Sequence, residues 1–98
     1  MSNEELVKGI QQQNIDVIDG MEQLYIKNKG IIHKIALRYS TYAELDDLMQ
    51  EAYLGLYTAT MHYDCSAGVK FITYAYRWIC QAVTRYIESN GSIIRIPS

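Results

Sequence analysis

The chain has a single proline, Pro97, near its far end, so no earlier position lacks a backbone donor or forces a helix to stop. From Val69 to Ser89 there is neither proline nor glycine, and Ile72, Ala75, Ile79, Ala82, Val83 and Tyr86 recur at helical spacing as one apolar stripe. This predicts a long helix near 69–89. A second long helix is predicted near 44–62, where Leu45, Leu48, Met49, Ala52, Leu56 and Ala59 share a face. Thr41 and Glu44, just before it, have the S/T-x-x-E spacing of a capping box. Shorter helices are expected around Leu6, Val7 and Ile10, around Ile15, Ile18, Met21 and Tyr25, and around Ile32, Ile35, Ala36 and Tyr39. Gln11 to Asn14 reads as the exit from the first of these, and Asn28 and Gly30 as punctuation between the next two. Tyr63 to Gly68 breaks the two long helices apart, and Asn90 with Gly91 reads as a C-terminal stop. Beyond it, Ser92 to Ser98 is expected to run extended, and only Ser92 to Ile96 would also suit a short strand. The expected fold class is all-α, a compact bundle of four to five helices.

A chain of 98 residues is one domain's worth. With 49% hydrophobic and 20% charged residues it is expected to fold rather than stay disordered. Two cysteines, Cys65 and Cys80, without a signal peptide or an apolar run of membrane-spanning length, point to a reducing cytoplasm and no membrane partner. The formal net charge of −2 hides an asymmetry. Residues 1–43 balance, whereas Glu44, Asp46, Asp47, Glu51 and Asp64 stand in residues 44–64 without a Lys or Arg. After them Lys70, Arg77, Arg85 and Arg95 face only Glu88. An acidic middle and a basic end fit two faces for two partners, and equally a molecule that is merely dipolar.

Side chains outside the apolar stripes form two sets. At about one hundred degrees per residue, Phe71, Tyr74, Trp78, Gln81 and Arg85 fall within a sector of about eighty degrees, with Lys70, Arg77 and Thr84 on the adjoining side. Flat rings beside cations and amides suit unpaired bases, since rings stack on base faces and cations meet phosphates. Aromatics at helical spacing also suit the wide side of a buried face. On the acidic helix, Asp47, Gln50, Glu51, Leu54, Tyr57 and Met61 point away from the core stripe. Apolar side chains ringed by carboxylates look like a docking patch for a basic helix or coiled coil. Cover by another helix of the same chain would explain Leu54 and Met61 as well.

Enzyme chemistry finds little support. His33, His62, Cys65 and Cys80 lack CxxC or HxxxH spacing, and no metal site is expected. GxxxxGK(S/T), GxGxxG and GxSxG are absent, and no catalytic residue or cofactor is implied.

The run Asp47-Leu48-Met49-Gln50-Glu51-Ala52-Tyr53-Leu54-Gly55-Leu56 is followed by Phe71-Ile72-Thr73-Tyr74-Ala75-Tyr76-Arg77-Trp78-Ile79, Gln81-Ala82-Val83-Thr84-Arg85 and Ile94-Arg95-Ile96-Pro97. In order and spacing this resembles the second conserved region of bacterial RNA polymerase sigma factors, of the housekeeping type. The resemblance implies a non-enzymatic helical domain that docks on the clamp coiled coil of the polymerase's largest subunit. It also implies recognition and opening of the minus-ten promoter element. Docking would fall to Asp47, Gln50 and Glu51, with Leu54 and Tyr57 beside them. Nontemplate-strand bases would be held by Phe71, Thr73, Tyr74 and Trp78, with Lys70 on backbone phosphate. Gln81 and Thr84 would face the upstream duplex base pair, with Arg85 nearby on phosphate. An anti-sigma factor is a further partner that the resemblance admits.

The departures are specific. Arg77 precedes Trp78 where the family commonly has two adjacent tryptophans, Cys80 stands where a basic residue is common, Val69 where an aromatic is common, and Ala67 where Arg is frequent. Fewer stacking groups and cations imply weaker melting, dependence on an activator, or another promoter sequence, as in alternative sigma factors. Arg77 and the negative net charge also fit a different class, a sigma-like decoy or adaptor that occupies the polymerase without opening DNA. The expectation for organisation is a single second-region domain over residues 1–98, cut from a longer protein.

Overall fold

A computed structural model describes residues 1–90. Five helices make up the described residues, α1 (Asn3–Gln11), α2 (Val17–Lys27), α3 (Lys29–Arg38), α4 (Leu45–His62) and α5 (Phe71–Ser89), and no strand occurs among them. Gly91, the extended run to Ser98, the possible strand and the Ile94–Pro97 motif lie outside the described residues.

α1 and α2 start where a side chain satisfies free helix amides, whereas Asn28 at the head of α3 makes no side-chain cap. Ser2 and Glu5 form a reciprocal capping box on α1, the Glu5 amide donating to Ser2 Oγ and the Ser2 amide to Glu5 Oε1, both at 3.1 Å. Asp16 accepts from the Ile18 and Asp19 amides at the head of α2. The box expected from Thr41 and Glu44 does not form: Glu44 itself is the N-cap of α4, without a side-chain capping bond, and Thr41 sits in the preceding turn. The N-cap of α5, Lys70, also lacks a cap of its own. Glu4 of α1 supplies it across the fold, its Oε2 accepting from the Phe71 amide at 2.7 Å.

Of the core stripes expected in α3 and α4, Ile32, Ile35, Ala36, Tyr39, Leu48, Ala52, Leu56 and Ala59 are buried, while Leu45 and Met49 are only half-buried. In α2 the stripe is rotated. Gly20 lies so close to Ile10 and Ile15 that a Cβ there would come within 2.6 Å of Ile10 Cγ1. That approach turns Met21 and Leu24 inward and leaves Ile18 76% exposed, with Tyr25 only partly covered. In α5 the buried row is Phe71, Ala75, Ile79, Val83 and Ile87, a strict i, i+4 row, while Ile72, Ala82 and Tyr86 are half-buried on its flank.

α4 and α5 form the main layer and run antiparallel, since Tyr63 meets Phe71 near their junction while Gly55 meets Ile79 and Ala82 further along. Their axes approach closely at Gly55, where a Cβ would stand 2.8 Å from both Ile79 Cα and the Trp78 carbonyl oxygen. In the connecting loop Gly68 takes a left-handed φ of 76°, a conformation side chains disfavour. The buried Tyr63 hydroxyl donates to the Val69 carbonyl and closes the loop. α1 anchors the same end, Gln11 Nε2 donating to the Thr60 and Tyr63 carbonyls at 2.8 and 2.7 Å. Between α2 and α3, the buried Asn28 exchanges side-chain hydrogen bonds with Asn3 and donates to the Leu24 carbonyl, so the chain turns there without an unsatisfied polar group.

Candidate functional site

The outer side of α4 carries the acidic and apolar set. Gln50 is exposed, Asp47 and Glu51 are half-buried, and Leu54, Tyr57 and Met61 are 53%, 41% and 38% exposed. Leu54 and Met61 keep these exposed shares although α5 lies alongside, so the described chain does not bury this face as the self-covered alternative requires. Beside it an open hollow of about 400 Å³ is lined by Tyr25, Met49, Gln50, Glu51, Tyr53 and Leu54. Tyr25 and Tyr53 meet edge to face at 5.7 Å and form its wall. Sequence reasoning missed both tyrosines, because Tyr25 lies on a helix that only the rotation of α2 brings against α4.

The outer side of α5 carries the aromatic and cationic set. Lys70, Thr73, Arg77, Gln81 and Arg85 are exposed, and Tyr74 and Trp78 are half-buried. A narrow groove of about 130 Å³ between the two long helices is lined by Leu54, Gly55, Thr58, Trp78, Gln81, Ala82 and Arg85. The acidic and aromatic faces therefore meet at Leu54.

Two expected contact residues are not on this surface. Phe71 is 0% exposed, its ring edge-on to Tyr63 at 5.2 Å and its amide held by Glu4, so it belongs to the core rather than to a base-stacking row. Thr84 is 6% exposed and its hydroxyl donates to the carbonyls of Cys80 and Gln81 in its own helix. Neither presents a side chain to a ligand in this structure. The aromatic row continues instead from Tyr74, 6.3 Å from Trp78, to His62 of α4, whose ring stacks on Trp78 at 5.4 Å and 29°.

Next to the cationic flank of α5, an open groove of about 710 Å³ is lined by Gly30, Ile31, His33, Lys34, Ile35, Leu37, Arg38 and Tyr76. The Tyr76 phenol facing Arg38 raises the guanidinium above its already high ordinary value, so Arg38 holds its charge throughout. Burial pushes the Cys80 thiol up, and both cysteines are free. Among the described residues no three His, Cys, Asp or Glu side chains gather as metal ligands do, and no helix is long and apolar enough to cross a membrane.

Comparison with known proteins gives this surface a context. Residues 24–93 match the family model described as sigma-70 region 2. The RNA polymerase sigma-C factor of a Nostoc species is 38% identical over 98 residues, 99% of this chain and 23% of that protein. RNA polymerase sigma factor SigA of Lactococcus lactis is 44% identical over 71 residues, 71% of this chain and 20% of that protein. RNA polymerase sigma factor sigA of Arabidopsis thaliana is 36% identical over 78 residues, 79% of this chain and 16% of that protein. The chain thus spans under a quarter of the length of these relatives. With its α4 and α5 inside the matched segment, this chain belongs to the sigma-70 region 2 family.

Proposed function

We propose that the protein is a transcription initiation domain that docks on core RNA polymerase through the outer face of α4 and captures unpaired promoter bases on the outer face of α5. The observation that carries this reading is the contiguity of Tyr74, Trp78, Gln81 and Arg85 along one exposed side of a rigid helix. Half-buried rings are restrained by their packing, so a base that unstacks transiently finds a platform already in place. Capture of this kind shifts the duplex toward the open state without nucleotide hydrolysis. Gln81 has donors and an acceptor suited to base edges, while Lys70, Arg77 and Arg85 suit phosphates. On α4, Asp47, Gln50 and Glu51 beside Leu54 and Tyr57 suit a basic, partly apolar helical partner, which in this family is the clamp coiled coil of the largest subunit.

Two titrations test it. Binding of the dye-labelled chain to core polymerase, followed by anisotropy at fixed salt, should weaken in Glu51→Ala. Binding to a nontemplate-strand oligonucleotide should weaken with salt and lose roughly 1–3 kcal/mol in Trp78→Ala, the worth of one base-aromatic stack. Wild-type affinity of both variants would refute the assignment of the faces.

The burial of Phe71 and Thr84, with Arg77 beside Trp78, favours a second reading in which the domain binds polymerase but does not open DNA. Polymerase binding with no oligonucleotide affinity in the assembled complex would select that adaptor reading.

A further inference from the structure

We propose that His62 is a DNA-contacting residue, its ring forming with Trp78 a two-plate platform on which an unpaired base stacks. The inference rests on the reading of α5 as the base-capturing face and adds a residue from a different helix to it.

The argument starts from the geometry. His62 is the last residue of α4 and is exposed, yet its imidazole lies over the Trp78 ring at 5.4 Å and 29°, an offset stack. The outer face of the imidazole is thus the free end of a stack whose inner member is Trp78, the single tryptophan of the chain. Its backbone is held in place from several sides. Gln11 donates to the carbonyls of Thr60 and Tyr63, the Tyr74 hydroxyl donates to the His62 carbonyl at 3.4 Å, and the neighbouring Tyr63 is buried. A ring carried on a fixed backbone loses little freedom when a base arrives.

The arrangement also answers a deficit within α5. With Phe71 in the core, the face of α5 that carries Gln81 and Arg85 offers Tyr74 and Trp78 as stacking rings, and Trp78 already has one face occupied. A base reaching Trp78 on that face must displace His62 or stack on it. Stacking on it keeps the imidazole–indole contact and adds a second ring contact to the base.

The test uses the 98-residue chain and a short A/T-rich, dye-labelled single-stranded oligonucleotide. Wild type, His62→Ala, His62→Phe and Trp78→Ala are titrated by anisotropy, thermal melts confirm folding, and the emission of the lone tryptophan reports on Trp78 directly. The expected result is quenching of Trp78 emission by DNA, a loss of roughly two- to tenfold in His62→Ala, and recovery in His62→Phe, which keeps the ring. Wild-type or tighter binding by a folded His62→Ala would overturn the proposal, because the imidazole would then only cover Trp78. Equal weakening of His62→Phe and His62→Ala would also overturn it. Wild-type binding by Trp78→Ala, or none by the unmodified chain, would instead refute the α5 reading on which it rests.

Discussion

Replacing Gly55 by alanine tests the packing on which both surfaces depend. A Cβ at this position would lie 2.8 Å from Ile79 Cα, 2.8 Å from the Trp78 carbonyl oxygen and 3.1 Å from Ala82 Cβ. Two of the three atoms are backbone and cannot rotate away, so α4 and α5 must separate by several tenths of an ångström. Overpacking of this kind costs about 1–3 kcal/mol. The substitution also recovers about 1 kcal/mol of helix propensity, because glycine is a poor helix former. Since the obstacle is main chain, the upper half of the overpacking range applies, and a net loss of about 1–2 kcal/mol is expected. For a chain of this size that lowers Tm by roughly 5–15 °C. Gly30→Ala is the matched control. It also lies in a helix, α3, but a Cβ there meets nothing within 4 Å, so propensity acts alone and stability should rise by about 0.5–1 kcal/mol. Thermal unfolding followed by circular dichroism gives both signs in one experiment. A Gly55→Ala variant stabilised as much as Gly30→Ala would refute the close approach of α4 and α5.

Three other outcomes follow from contacts made at a distance. Glu4→Ala should lower stability in urea by about 0.5–2 kcal/mol, the usual worth of a cap, although residue 4 lies on a different helix from the amide it serves. In acid, two exposed carboxylates should weaken local structure. The bonds from Ser2 hold Glu5 below the usual glutamate range, and the bonds from Ser66 do the same for Asp64. A carboxyl depressed in the fold contributes its stability above the ordinary carboxylate pKa, and loses it as pH falls through the lower folded value. The protection of the Ser2 and Ser66 amides, measured relative to intrinsic exchange at each pH, should therefore fall in that acid window, while α3 amides stay protected. In alkali the sign reverses for Tyr63. Burial, followed by the charge of Glu4, pushes its phenol above the usual tyrosine value. Its contribution persists below the ordinary tyrosine pKa and is lost as pH rises through the folded value, a step that Tyr63→Phe should remove from the pH-stability curve.

The helices were legible because their signal is local. Apolar residues three and four apart define α3 and α4 whatever surrounds them, and a chain without an internal proline has few other ways to satisfy its backbone. What was illegible is how far each helix is rotated about its own axis, because that depends on a second element. Ile18 and Leu24 are equally apolar, and the contact of Gly20 with Ile10 and Ile15, on α1 and the turn after it, decides which of them is buried. Phe71 sits at the edge of the angular sector shared with Trp78. The ring of Tyr63 and the carboxylate of Glu4, the latter far away in the chain, draw it into the core.

The candidate site follows the same division. Its cations and amides, Lys70, Arg77, Gln81 and Arg85, were readable as residues that no core could absorb, and all four are exposed. Its ring system was not, because His62 and Trp78 belong to different helices and only the antiparallel packing at Gly55 brings them face to face. Leu54 has the same status. By period it belongs to the acidic face of α4, but it also lines the groove with Trp78, Gln81 and Arg85. Leu54, beside the residues expected to meet polymerase, is therefore also a wall of the groove that Trp78 lines, and it became readable as such only once Gly55 had brought α4 and α5 together.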